Sequence, residues 1–152
     1  MSFKIAKIAA TWFGAGLAPK APGTWGTLAA LPFAWGIILI AGRPGLAAAA
    51  VGVYALGIWA AQVYMAHTKT HDPGQIVIDE VVGVWIALLP ATLSPASFFF
   101  GFALFRFFDI VKPWPISWVD RNVGGAHGVM LDDVLAGIFA AILLFFAMPY
   151  LP

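Results

Sequence analysis

Along the chain, long apolar runs alternate with short polar interruptions, a pattern that predicts helices. The runs cover 27–41, 46–66, 81–93, 96–108 and 134–150, each bounded by Pro, Gly or charge. The second is 21 residues without a charge, enough to cross a hydrocarbon core of about 30 Å at 1.5 Å per residue. Residues 3–17 differ, because Lys4 and Lys7 sit among apolar positions and Gly14 and Gly16 break the run. That alternation predicts an amphipathic helix lying in the interface rather than a span. The stretch 81–108 is nearly continuous in apolar character but holds Pro90, Ser94 and Pro95. As one helix it would be about 42 Å long, too much for one ordinary crossing, so the Leu93-Ser94-Pro95 turn predicts a reversal between two short spans. Carrying the first of them back to Ile76 gives a span over 76–93 with Asp79 and Glu80 in its opening turn. The fold class that follows is all-α: a polytopic transmembrane helical bundle of about five short spans plus an N-terminal interfacial helix. Residues 1–152 then form a single integral membrane domain.

Composition sharpens this picture. Charged residues make up 10% of the 152 and hydrophobic ones 62%, against roughly a quarter charged in soluble domains, which excludes a water-soluble globule. With no cysteine, disulfides, zinc–thiolate sites, iron–sulfur clusters and thiol nucleophiles are all excluded. A net charge of +1 gives no case for nucleic acid as a partner. Five spans place Lys4, Lys7, Lys20, Lys69, Arg106, Lys112 and Arg121 on one side and Arg43 alone on the other. The positive-inside rule makes the first side cytoplasmic, and every acid of the chain falls there too.

Those acids carry the candidate chemistry. Asp79-Glu80 and Asp132-Asp133 are adjacent pairs, each predicted at the start of an apolar helix, where the dipole favours negative charge by about 0.3–1 kcal/mol. Capping needs one acid per helix, and a second one costs about 2.5–3.5 kcal/mol at the bilayer centre and less near its edge. Two pairs plus Asp109 therefore point to a shared cation, and oxygen-only ligands suit Mg2+ or Mn2+. Arg106, Asp109 and Lys112 lie three apart and share one face of a continuous helix. That strip is either a salt-bridge ladder or a site in which Asp109 reaches metal while Arg106 or Lys112 holds phosphate. The glycine-bearing segment 14–26 offers Lys20 and the Thr24 hydroxyl directly before a helix, as an anion cradle or an ordinary connector, without P-loop spacing. His67 and His71 are four apart with no third ligand specified. The segment Gly124-Gly125-Ala126-His127-Gly128 is equally open. No acyl-transfer elbow or familiar phosphatase signature is present. What remains is a metal-dependent reaction at a phosphate, or a small acid-lined cation transporter or channel, which predicts acids spread through membrane depth.

Three blocks together resemble a known family: the segment from Gly14 through Lys20, Gly23 and Thr24 to Pro32; Val77-Ile-Asp-Glu-Val-Val-Gly-Val-Trp85; and Phe105-Arg-Phe-Phe-Asp-Ile-Val-Lys-Pro-Trp-Pro115 continuing through Asp120, Arg121 and Asn122 into Gly128-Val-Met-Leu-Asp-Asp-Val-Leu-Ala-Gly137. In this order they are similar to the phosphatidylglycerophosphatase A family. The resemblance implies a Mg2+-dependent phosphatase of the bacterial cytoplasmic (inner) membrane. Its substrate would be phosphatidylglycerophosphate, whose terminal phosphate is removed to give phosphatidylglycerol in phospholipid biosynthesis. The family motifs also fall on His71 and Asp72. Carried onto this chain, they make Asp79, Glu80, Asp109, Asp132, Asp133 and Thr24 the catalytic candidates. Asp79, Glu80, Asp132 and Asp133 would hold one or two Mg2+, and Lys20, His71, Arg106, Lys112 and Arg121 would bind the substrate phosphate. Water activated by the metal is the expected attacking group, with a phosphoaspartyl intermediate or a Thr24 nucleophile left open. At Gly124-Gly125-Ala126-His127 the chain departs from the family's glycine-rich pattern.

Overall fold

A computed structural model describes residues 2–152. Its elements are helices α1 (Ser2–Ala10), α2 (Pro22–Thr68), α3 (Ile78–Ala87), α4 (Pro95–Val111), α5 (Ile116–Asn122) and α6 (Gly125–Ala147), with 3₁₀ turns at Ala15–Leu17 and Met148–Tyr150. No strand occurs among the described residues, so the all-helical expectation stands.

α2 is a hairpin. Gly42 has φ 68° and ψ −170°, a conformation that a side chain would strain, and it divides the helix into arms 22–41 and 43–68. Their directions follow from what they touch on α3. On the first arm, Gly26 abuts Val77 and the Ala30 carbonyl accepts from Trp85 Nε1 at 3.0 Å. On the second, Gly57 abuts Ile78 while Ala47 lies in the neighbourhood of Leu89. One arm thus runs with α3 and the other against it.

α3 lies at the centre, with Ile78, Val81, Val84 and Ala87 fully buried. It has 10 residues, about 15 Å, and is shorter than the span expected over 76–93. Val77 has φ −128° and ψ 1° and stands outside the helix. Pro90 disfavours helical geometry at Leu89 and ends it. The expected reversal follows: Pro95 opens α4, and the Ser94 side chain accepts from the Ser97 backbone N–H at 3.2 Å. Gly83 meets Phe105 and Leu88 meets Gly101, so α3 and α4 are antiparallel. α6 crosses α3 where a Cβ on Gly137 would stand 2.3 Å from the Gly83 carbonyl oxygen, a backbone approach that only glycine allows.

The N-terminal helix stops at Ala10 rather than running on toward Leu17, because Trp12, Phe13 and Gly14 take positive φ. It packs on the second arm of α2 with Ala6 and Ala10 buried and Phe3 stacked on His67 at 3.6 Å. The Val77 N–H donates to the Ala10 carbonyl at 2.8 Å, which ties this segment beneath the start of α3. Two stretches, Pro22–Thr68 and Gly125–Tyr150, are long and apolar enough to cross a membrane. Ile40, Val51, Phe145 and Phe146 on them are exposed, as lipid-facing side chains would be.

Candidate active site

The starts of α2 and α3, the end of α4 and the first third of α6 converge at one end of the bundle. They enclose a cavity of about 380 Å³ lined by Asp72, Asp79, Glu80, Arg106, Asp109, Lys112, Asp132 and Asp133 among others. Asp79 and Glu80 occupy the first turn of α3, as expected. Asp132 and Asp133 do not open α6. The helix begins at Gly125 and carries no acid in its first turn, which corrects the expectation that this pair sits at a helix start. The dipole effect fades within one turn, so capping gives no account of two buried acids at that depth.

Carboxylate oxygens of Asp79, Glu80 and Asp133 lie within 4.8 Å of one another. Asp79 Oδ1, Glu80 Oε2 and Asp133 Oδ2 are each buried with no hydrogen-bond partner. Carboxylate oxygens buried without a donor are costly, and a hard divalent cation with oxygen ligands relieves that cost. The donor set fits Mg2+. Asp132 is engaged elsewhere: its Oδ2 accepts from Lys112 Nζ at 2.6 Å and its Oδ1 from the Asp133 N–H at 3.0 Å. Of the four expected metal ligands the structure thus gathers three.

Two cations share the cavity. Arg106 pairs with Asp109, its Nη1 stands 4.0 Å from Glu80 Oε1, and its Nη2 donates to Thr24 Oγ1 at 3.5 Å. A Cβ on Gly23 would meet Glu80 Oε1 at 2.8 Å and Arg106 Nη1 at 3.3 Å, so the glycine lets the start of α2 press against these groups. Lys112 departs from the expected strip of Arg106, Asp109 and Lys112 along one helix face. α4 ends at Val111 and Lys112 has φ 50°, which turns its ammonium away from the helix toward Asp132 and, at 3.6 Å, Asp120. Burial alone would depress the Lys112 pKa, but the hydrogen bond and charge of Asp132 outweigh it and raise the value, keeping the ammonium charged.

The remaining expected residues lie outside the cavity. Lys20 is exposed beside Ala21, which does line it. His71 is exposed and lines an adjoining recess of about 190 Å³ with Asp120. Asp72 and Val129 line both that recess and the cavity. Arg121 is exposed and its Nε donates to the Ser117 carbonyl at 3.2 Å. Sequence reasoning gave no site role to Asp72 or Asp120. The signal for Asp72 was its place between His71 and the Pro73-Gly74 turn, which folds the loop back over the start of α3.

Comparison with known proteins bears on this arrangement. The profile of a family described as Phosphatidylglycerophosphatase A matches residues 8–148. A protein of Escherichia coli (strain K12) named Phosphatidylglycerophosphatase A is 38% identical over 138 residues, covering 90% of this chain and 80% of the relative. One of the same name from Haemophilus influenzae is 42% identical over 137 residues, covering 90% and 84%. A Bacteroides thetaiotaomicron protein provisionally named a phosphatidylinositol-3-phosphatase is 43% identical over 143 residues, covering 88% and 87%. No solved structure matches.

Proposed function

The chain belongs to the phosphatidylglycerophosphatase A family, and from that premise we propose that it hydrolyses the terminal phosphate of phosphatidylglycerophosphate to give phosphatidylglycerol in phospholipid synthesis. The observation that carries the chemistry is the triad of Asp79, Glu80 and Asp133, with an unpartnered buried oxygen on each, beside Arg106 and Lys112 in one cavity. The triad would hold a divalent cation, and the hardness of its oxygen ligands would favour Mg2+. When bound, such a cation neutralises phosphate charge and makes a nearby water more acidic.

The chain's own residues do the rest. Arg106 and Lys112 grip the phosphate oxygens and stabilise the charge that spreads over them as the ester bond breaks. Asp109 and Asp132 orient those two cations through the pairs already described. The Thr24 hydroxyl, beside Arg106, lines the path to the phosphate. Lys20, His71 and Arg121 surround the mouth, where they draw in an anionic headgroup. In the cell the chain crosses the bacterial inner membrane five times, as both arms of α2, α3 with its following turn, α4 and α6. The charged end faces the cytoplasm, a reading supported by Arg43 standing alone at the far end.

The test is phosphate release by the purified protein in detergent, from phosphatidylglycerophosphate, phosphatidic acid and phosphatidylinositol 3-phosphate, each with Mg2+ and with chelator. Release that is fastest from phosphatidylglycerophosphate and abolished by chelator is expected. Preference for the inositol lipid would move the substrate toward that named for the Bacteroides relative. Undiminished release in chelator would remove the metal.

A further inference from the structure

A seam between the second arm of α2 and α6 changes character along its length. On α6, His127, Leu131 and Val134 are spaced i, i+4, i+7 and lie on one face. Toward the Arg43 end, Leu131 and Val134 join Ala47, Ala50, Val51 and Tyr54, with α3 closing the third side, around an apolar groove of about 380 Å³. Toward the charged end, His127 joins Met65, Lys69 and His71 around a recess of about 530 Å³. His71 and Met65 also line the smaller recess whose Asp72 and Val129 reach the carboxylate cavity. Between groove and recess the Met130 side chain reaches across to the second arm, where a Cβ on Gly57 would stand 2.5 Å from its methyl. Beyond it, the small side chains of Ala47 and Ala50 leave the groove open.

We propose that this seam is the substrate-lipid site: an acyl chain lies in the groove of Ala47, Ala50, Val51, Tyr54, Leu131 and Val134, and the anionic head passes Lys69, His71 and His127 into the carboxylate cavity. The proposal rests on the lipid-phosphatase reading above and extends it to the tail. The order of chemistry along the seam, anion-binding then apolar, is the order along a phospholipid. On α6 four residues, about 6 Å of helix axis, separate His127 from Leu131, and on α2 eight residues, about 12 Å, separate Gln62 from Tyr54, a gap that a glycerol backbone with the first carbons of its acyl chain bridges. Water gains nothing from the apolar walls, and a peptide there would leave backbone donors unpaired. A hydrocarbon chain has neither problem.

The test compares kcat/KM for dioleoyl and dihexanoyl phosphatidylglycerophosphate in wild type, Ala47→Phe and Val51→Trp. Val51 is exposed, so its variant narrows the groove without entering the core. Filling the groove is expected to lower kcat/KM about tenfold for the long-chain lipid through lost apolar contact, and less than about twofold for the short one. A phosphatidylglycerol with a photoreactive group near the acyl terminus is expected to label wild type on peptides containing Val51 or Leu131, and to label Val51→Trp less. Equal effects on both chain lengths, no effect on the long one, or labelling confined to helices other than α2, α3 and α6 would overturn the groove. A groove occupied by a non-substrate lipid would give labelling without chain-length selectivity, and that too overturns the proposal. Wild type inactive on both lipids would instead overturn the enzymatic reading on which it stands.

Discussion

At the end of the bundle where α2 reverses, Arg43 lies exposed and its Nη2 donates to the Pro90 and Ala91 carbonyls at 3.2 and 3.3 Å. The charge there satisfies carbonyls of the turn that follows α3, which no helix pairs. At the opposite end, carboxylate oxygens of Asp79, Glu80 and Asp133 lie within 4.8 Å of one another, and each residue keeps a buried oxygen that no donor reaches. A charge with its partners accounted for does structural work. Charges held together against their own repulsion call for a ligand, and that contrast supports the proposed site on grounds independent of any relative. If the proposed site is right, the carboxylate end is where stability is given up for function.

The most direct way to break this contrast is to neutralise the triad. Asp79→Asn and Asp133→Asn should each lower kcat/KM about a thousandfold, the upper range for loss of a principal electrostatic group. They should also leave the melting temperature in detergent unchanged or raised, since repulsion is relieved. Activity and melting measured on the same preparations check both halves. Near-normal turnover in both variants would show that the orphaned oxygens are incidental.

Lys112 sharpens the contrast from the cationic side. Lys112→Gln should cost about a hundredfold in kcat/KM, and Lys112→Arg should recover part of that loss, because charge is kept while donor geometry changes. Asp132→Asn combined with Lys112→Gln should be less harmful than the product of the single effects, because the 2.6 Å pair makes the two residues one unit. Additive losses would separate them.

Much of this architecture is written in the chain. The apolar runs mark the helices, the Ser94-Pro95 signal marks the α3–α4 reversal, and the polar gap around 42–45 marks the turn in α2. The site was less legible where spacing and backbone geometry diverge. A three-residue period put Lys112 on the Arg106–Asp109 face, yet Pro113 already argued against helical geometry at the residue before it. Asp132 and Asp133 looked like a helix start because Gly124 and Gly125 read as loop. α6 forms from Gly125 onward all the same, carrying both acids two turns inside. Adjacent acids on a helix point about 100° apart, so Asp133 can join the triad while Asp132 turns to Lys112. Composition cannot make that distinction; only the register of α6 against α3, fixed by the Gly83–Gly137 contact, does.

Arg43→Gln tests the structural end. It should leave kcat/KM within about twofold and reduce stability by about 1 kcal/mol or less, the worth of an exposed hydrogen bond. A large loss of activity would mean that the far end communicates with the site.

The smallest expected effect is at Arg121, which resemblance places among the phosphate ligands and geometry places at the surface. Its guanidinium is exposed on α5 and turned back on the Ser117 carbonyl one helical turn earlier, a contact that any mobile surface arginine can make and lose at little cost. If catalysis uses the cavity as it stands, Arg121→Gln should change kcat by less than about twofold. KM should rise only modestly and should lose part of its salt dependence, because a mouth residue steers an anionic headgroup without touching the reacting phosphate. Steady-state kinetics across ionic strength separates the cases. A drop in kcat comparable to that of Lys112→Gln would require α5 to swing inward when substrate binds, and would make the exposed mouth, rather than the carboxylate end alone, part of the machinery.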